Sequence, residues 1–172
     1  MERKGITLIG MPTSGKSTIG AELAKRLDWP MLDVDRWMEH HEGMPLGDVI
    51  AKKGDKYTLD LETQCLRESD LHQVIVSTPG SIIYSDAAKE PLEIQTNIFW
   101  LNVSLDEVRK RLETDPDPNR QNQIIGIKEK GLDGLYVERT PKYSAWARYV
   151  IECATKDINE ITDEIINTFN QT

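Results

Sequence analysis

Residues Gly10-Met11-Pro12-Thr13-Ser14-Gly15-Lys16-Ser17 carry the spacing G-x-x-x-x-G-K-[ST]. Glycines at the two fixed positions let backbone N–H groups converge on one point, and a helix that follows turns its positive end toward the same point. The lysine then reaches the β- and γ-phosphates of a nucleoside triphosphate, and the Ser17 hydroxyl can ligate Mg²⁺. By average residue usage, a chance match in a chain of this length is on the order of one in a hundred. A phosphate cradle is therefore preferred over an ordinary glycine-rich turn. The nucleotide-binding set runs from Gly10 through Ser17 to Thr18.

The motif means something only between a strand and a helix, and the flanks supply both. Residues 6–9 are a short apolar run ending at Gly10, and Ile19, Leu23 and Leu27 recur every four residues after it. Further short apolar runs at 31–32, 74–76, 97–103 and 149–151 are expected as strands. Helix-length segments fall at 46–53, 56–71, 105–113, 134–147 and 158–169. In the last of these, Ile158, Ile161, Ile165 and Phe169 form one stripe that should pack on the sheet. Strands alternating with helices imply an α/β protein with a parallel sheet covered on both faces. Asp115-Pro116-Asp117-Pro118-Asn119 cannot continue a helix and is expected to be a mobile loop.

The 172 residues suit a single domain spanning 1–172, with 38% hydrophobic and 29% charged residues. A net charge of −8 argues against a general surface for nucleic acid or anionic membrane. No apolar run approaches the roughly 18 residues of a membrane span. Met1-Glu2-Arg3-Lys4 does not open a secretory leader, so the expected compartment is the cytoplasm. Cys65 and Cys153 are expected as reduced core thiols. A polyanion in so acidic a chain needs a local basic pocket, for which Lys16, Arg111, Arg120 and Arg139 are the candidates. Glu39-His40-His41-Glu42 lacks metal-ligand spacing and reads as a solvated helix end. Trp37, two residues past Asp35, is a candidate wall for an acceptor site. Neither an N-K-x-D guanine reader nor a D-x-x-G switch is present. A small-molecule kinase is the common class that remains.

Residues 8–27, Leu32-Asp33-Val34-Asp35 and Glu138-Arg139-Thr140-Pro141-Lys142-Tyr143 together resemble the shikimate kinase family, within the wider nucleoside-monophosphate-kinase-like group. The resemblance implies a three-layer α/β/α fold with five parallel strands in the order 2-3-1-4-5. It also implies ATP with Mg²⁺, a small hydroxylated acceptor bound by a helical region at about 36–71, a lid at about 114–128, and a monomer. Under it, Lys16, Asp35 and Arg120 are catalytic, Asp33 joins Ser17 at the metal, and Arg111 stacks on adenine. Asp35, Gly80 and Arg139 bind the acceptor, Arg139 through a substrate carboxylate. Plainer roles stay open: Asp35 as cap of a helix starting at Arg36, Arg120 as a solvated loop residue, and Arg139 in a surface ion pair with Glu138.

Two departures bear on the acceptor. Where the family has an aromatic residue followed by a second carboxylate-binding arginine, this chain has Tyr57 and then Thr58. Where the family has three glycines, it has Thr78-Pro79-Gly80, and Pro79 has no N–H to donate. Shikimate or a related hydroxy acid is thus joined by a sugar acid, a polyol or an amino-acid alcohol as the candidate acceptor. A nucleotide-binding homologue without catalysis is the remaining alternative.

Overall fold

A strand buried on both faces must be apolar throughout, and Gly5-Ile6-Thr7-Leu8-Ile9 meets this with Thr7 as its one polar side chain, bonded to Thr96 at 2.8 Å. In the computed structural model, which describes residues 4–171, this strand (β1, Gly5–Ile9) lies at the centre of a five-stranded sheet. Its partners are β2 (Met31–Asp33), β3 (Ile75–Ser77), β4 (Thr96–Asn102) and β5 (Tyr149–Glu152). All pairings are parallel, in the order β2-β3-β1-β4-β5. The expected α/β/α fold and strand order are borne out. Residues 1–3, on which the reading of the N-terminus rests, lie outside the described residues.

Seven helices fill the outer layers: α1 (Lys16–Leu27), α2 (Val34–Glu42), α3 (Leu46–Glu68), α4 (Asp86–Gln95), α5 (Leu105–Glu113), α6 (Ile127–Trp146) and α7 (Ile158–Asn170). Several boundaries depart from expectation for local reasons. α2 starts at Val34 because Asp33, not Asp35, is its N-cap, accepting from Arg36 N at 3.3 Å. α3 comprises the two helices expected there, joined across Gly54 (φ 83°, ψ 168°), whose backbone is not helical and favours glycine. α6 likewise joins a helical turn that was not expected, 127–130, to the expected helix across the non-helical Gly131 (φ 67°). α4 escaped the sequence reading because Pro91 interrupts it, although Ala88 and Leu92 are buried one turn apart.

α7 opens with a capping box in which Asp157 accepts from Glu160 N while the Glu160 carboxylate accepts from Asp157 N. Its buried stripe is Ile161, Ile165 and Phe169, whereas Ile158 is left exposed. The helix lies against β5 and α1, where Arg26 donates to Asp163 and Asn159 at 2.6 Å each. Cys65 and Cys153 are free and buried, and burial pushes their thiols up to about 12 and about 11. Among the described residues no helix is long and apolar enough to cross a membrane.

Candidate active site

β1 ends against the phosphate loop, and the loop's shape follows from its backbone. Gly10 (φ 149°) turns the chain where a Cβ would stand 2.8 Å from the Leu101 carbonyl, and Thr13 and Gly15 also take positive φ. Gly15 is the N-cap of α1, whose first turn carries no acidic residue, so the helix end keeps its positive potential for an anion. Met11, Pro12 and Ser14 are buried under the loop, while Ser17 and Thr18 face outward.

Lys16 is 8% exposed and donates to the carbonyls of Gly10 (2.9 Å) and Met11 (2.8 Å) and to Ser14 Oγ at 3.3 Å. Burial lowers its pKa to about 7, with Arg120 and Arg139 pushing the same way and Asp35 and Asp33 opposing. Ser17 Oγ donates to Asp33 Oδ2 at 2.7 Å and lies 3.2 Å from Ser77 Oγ. A hydroxyl and one carboxylate at the mouth of a phosphate loop are hard oxygen donors of the kind Mg²⁺ takes, with water and phosphate completing its shell.

A cavity of about 350 Å³ runs from this loop to the opposite wall of the site. Lys16, Asp35, Gly80, Arg111, Arg120 and Arg139 all line it, so most of the residues singled out in the sequence converge. Asp35 Oδ1 is buried without a hydrogen-bond partner, and burial together with Asp33 raises its pKa to about 6, against the pull of Lys16 and Arg120. Arg111 donates to Glu107 and, at 3.2 Å, to the Thr13 carbonyl, which holds it beside the phosphate loop. Arg120 belongs to a short 3₁₀ turn, Arg120–Gln123, and donates to Gln123 at 2.9 Å, while its Nε is buried without a hydrogen-bond partner. The loop before it is braced from within: Asp115 accepts from Asp117 N and Asp117 from Asn119 N, each at 2.9 Å.

The surface ion pair considered for Arg139 does not occur. Glu138 pairs with Lys130 instead, and Arg139, 1% exposed, donates to the Ile125 carbonyl (2.7 Å) and to Tyr84 Oη (3.3 Å). Gly80 is required beside it, since a Cβ there would lie 2.9 Å from Arg139 Nη1 and 3.1 Å from Pro12. Tyr143 Oη donates to the Gly80 carbonyl at 2.6 Å and touches Met11 Sδ at 3.9 Å. Trp37 stacks on His41 with ring centres 4.9 Å apart and is not part of the cavity wall. Both histidines of that turn are exposed, and no metal-ligand cluster occurs among the described residues.

Thr58 lines the cavity but spends its hydroxyl on the Gly54 carbonyl one turn back, at 3.0 Å. The sequence reading missed Glu62, 1% exposed and on the same wall. Its Oε1 accepts from Ser81 Oγ at 2.5 Å and its Oε2 has no partner, while burial drives its pKa up to about 8. The signal was available: Thr58, Leu61, Glu62, Cys65 and Leu66 form the buried stripe of α3, and a carboxylate in such a stripe is anomalous.

The shikimate kinase family model matches residues 12–170. Shikimate kinase of Staphylococcus aureus (strain MSSA476) is 33% identical over 167 residues, covering 96% of this chain and 94% of the relative. Among solved structures, shikimate kinase from Aquifex aeolicus superposes with a TM-score of 0.77 at 26% identity, covering 96% of this chain and 95% of the other. Shikimate kinase from Acinetobacter baumannii in complex with shikimate gives a TM-score of 0.84 at 23% identity, covering 98% and 94%.

Proposed function

Since the chain belongs to the shikimate kinase family, we propose that the residues gathered on the cavity form the transfer site of an ATP-dependent kinase whose acceptor is a small hydroxylated metabolite. That the enzyme is an ATP-dependent phosphotransferase acting on a hydroxyl follows from the family. Which residues do the work, and with which metal, is our reading. The observation that carries it is the convergence of a phosphate-loop lysine, a high-pKa carboxylate and three arginines on one cavity.

In this reading the triphosphate lies along the loop from Gly10 to Thr18, with Arg111 over the base and Lys16 against the β- and γ-phosphates. Ser17 and Asp33 would hold Mg²⁺, which when bound supplies neutralisation of phosphate charge. Asp35 accepts the proton of the acceptor hydroxyl as its oxygen forms a bond to the γ-phosphorus and the bond from that phosphorus to the β-phosphate oxygen breaks, releasing ADP. A carboxylate with a pKa of about 6 is mostly ionised at neutral pH yet a stronger base than an ordinary one, which suits the task. Arg120 meets the transferring group, and the segment at about 114–128 acts as the lid that excludes water. Arg139 and the Gly80 wall, with the helical region at about 36–71, hold the acceptor. One domain, working as a monomer in the cytoplasm beside the ATP pool, completes the reading.

The test is ADP release from Mg-ATP across a panel of hydroxy acids, polyols and hydroxylated amino acids. Acceptor-dependent turnover lost in Lys16→Ala supports the reading. ATP binding without turnover of any acceptor would favour the non-catalytic alternative.

A further inference from the structure

The acceptor end of the cavity contains two buried groups of opposite charge that do not neutralise each other. Arg139 and Glu62 are each 1% exposed, both line the cavity, and among the described residues neither takes part in an ion pair. Arg139 is fixed by a carbonyl and a phenol, both neutral. Glu62 is fixed by one hydroxyl, and its second oxygen has no partner. Burying a charge without a counter-charge is costly, so such an arrangement is stable only where a ligand completes it or the group takes up a proton. Burial pushes the Glu62 pKa up to about 8 despite its bond to Ser81 and the nearby Arg139, so its carboxylate gains most from a cationic donor.

The two groups are also close in the chain of contacts. Gly80 abuts the Arg139 guanidinium, and the next residue, Ser81, holds Glu62. Both are thus anchored at one peptide unit, within reach of a ligand of a few non-hydrogen atoms. The segment of α3 that builds this wall, 55–62, carries one cation, Lys56, and it is exposed. Ser81 and Thr58 add no charge, and the Thr58 hydroxyl is already engaged.

The remaining charges are spoken for if the proposed transfer site is correct, and the inference rests on that reading. Lys16 and Arg120 face phosphate, Asp115 lies 3.7 Å from Arg120 Nε, Arg111 faces the base, and Asp35 faces the reacting hydroxyl. A hydroxy acid would satisfy Arg139 but offer Glu62 only neutral hydroxyl donors and no counter-charge. A neutral polyol would leave the buried guanidinium without an anion. An acceptor bearing both a carboxylate and an ammonium satisfies both, with three N–H donors for Glu62 and a planar anion for Arg139. We propose that the acceptor is a hydroxylated amino acid, its carboxylate on Arg139, its ammonium on Glu62 and its hydroxyl at Asp35, and that Glu62 is the residue that selects the amine.

The experiment measures ADP release at saturating Mg-ATP with serine, homoserine and threonine, with their desamino counterparts, and with shikimate and glycerol, for the unaltered enzyme and for Glu62→Gln. Glutamine keeps the shape and can still accept from Ser81, but it cannot carry the charge. We expect at least one amino acid to exceed its desamino counterpart in kcat/KM by about tenfold or more, the scale of one charge-assisted hydrogen bond. In Glu62→Gln that advantage disappears, through KM, with the KM for ATP unchanged. Faster turnover of shikimate, of glycerol or of the desamino compounds would overturn the inference and leave the kinase reading standing. An equal loss for every acceptor in Glu62→Gln would make Glu62 a support for the wall and also overturn it. Absence of turnover with every acceptor would instead sink the transfer site, and the inference with it.

Discussion

Replacing Asp35 by asparagine should make the protein more stable and nearly inactive at once. Its carboxyl carries a pKa raised from 3.8 to about 6, chiefly by burial and then by Asp33. That difference corresponds to a penalty of about 3 kcal/mol on the ionised form in the folded state. Asparagine removes the charge but brings an amide that needs acceptors of its own, so a net gain of about 1 to 2 kcal/mol is expected. For a chain of this size this is a rise in Tm of about 2 to 8 °C. The sign follows from the raised folded-state pKa: the penalty is fully present above pH 6, shrinks as pH falls through that value, and is gone below the unfolded value of 3.8. Melting curves of both proteins at pH 7.5, 6 and 4 should therefore converge toward acid. Turnover at pH 7.5 should drop by about a hundredfold to ten-thousandfold, the usual contribution of a general base. A stability gain independent of pH would refute the desolvation argument, and turnover within tenfold of the unaltered enzyme would refute the assignment of Asp35 as base.

Lys16→Ala should abolish phosphoryl transfer while the protein still unfolds cooperatively, because the lysine bonds only to its own loop; near-native turnover would remove the central claim. Asp33→Asn keeps a competent cap for α2, so its expected effect is a higher Mg²⁺ requirement for turnover with little change in metal-free nucleotide binding, and equal losses in titrations of both would make the residue structural. Shikimate should be a poor acceptor, with kcat/KM at least about a hundredfold below that of a typical small-molecule kinase on its own acceptor. The α3 wall offers Thr58 and Glu62 where the family has a second arginine, and steady-state kinetics in the ordinary enzyme range would contradict this.

The parts of the fold legible in the sequence were those with a single strong signal. β1 and the phosphate loop are marked by an apolar run stopped at a glycine, and the helix expected at 105–113 is found as α5, Leu105–Glu113. Boundaries failed where one residue overrode the pattern. The helical turn before Gly131 was not anticipated and Pro91 hid α4, whereas the break at Gly54 between the two expected helices is present. Of the residues gathered on the cavity, Lys16, Asp35, Arg120 and Arg139 were singled out because a motif or a resemblance pointed to them. Glu62 was overlooked, since a glutamate in a helix stands out only when its place in the apolar stripe of Leu61, Cys65 and Leu66 is noticed. Trp37 failed for the opposite reason: proximity in sequence to Asp35 put it near the site, but its ring turned to His41.

Tyr143 ties the phosphate loop to the Gly80 segment, which in the proposed reading serve different substrates. Its ring lies stacked on Trp100 of β4, its hydroxyl holds the Gly80 carbonyl, and the same oxygen rests on Met11 of the phosphate loop. Buried and rigid, this phenol acts as a strut between the nucleotide and acceptor sides, so a displacement at either loop is transmitted to the other rather than absorbed between them. In the proposed reading the affinities of the two substrates are then thermodynamically linked through this one side chain.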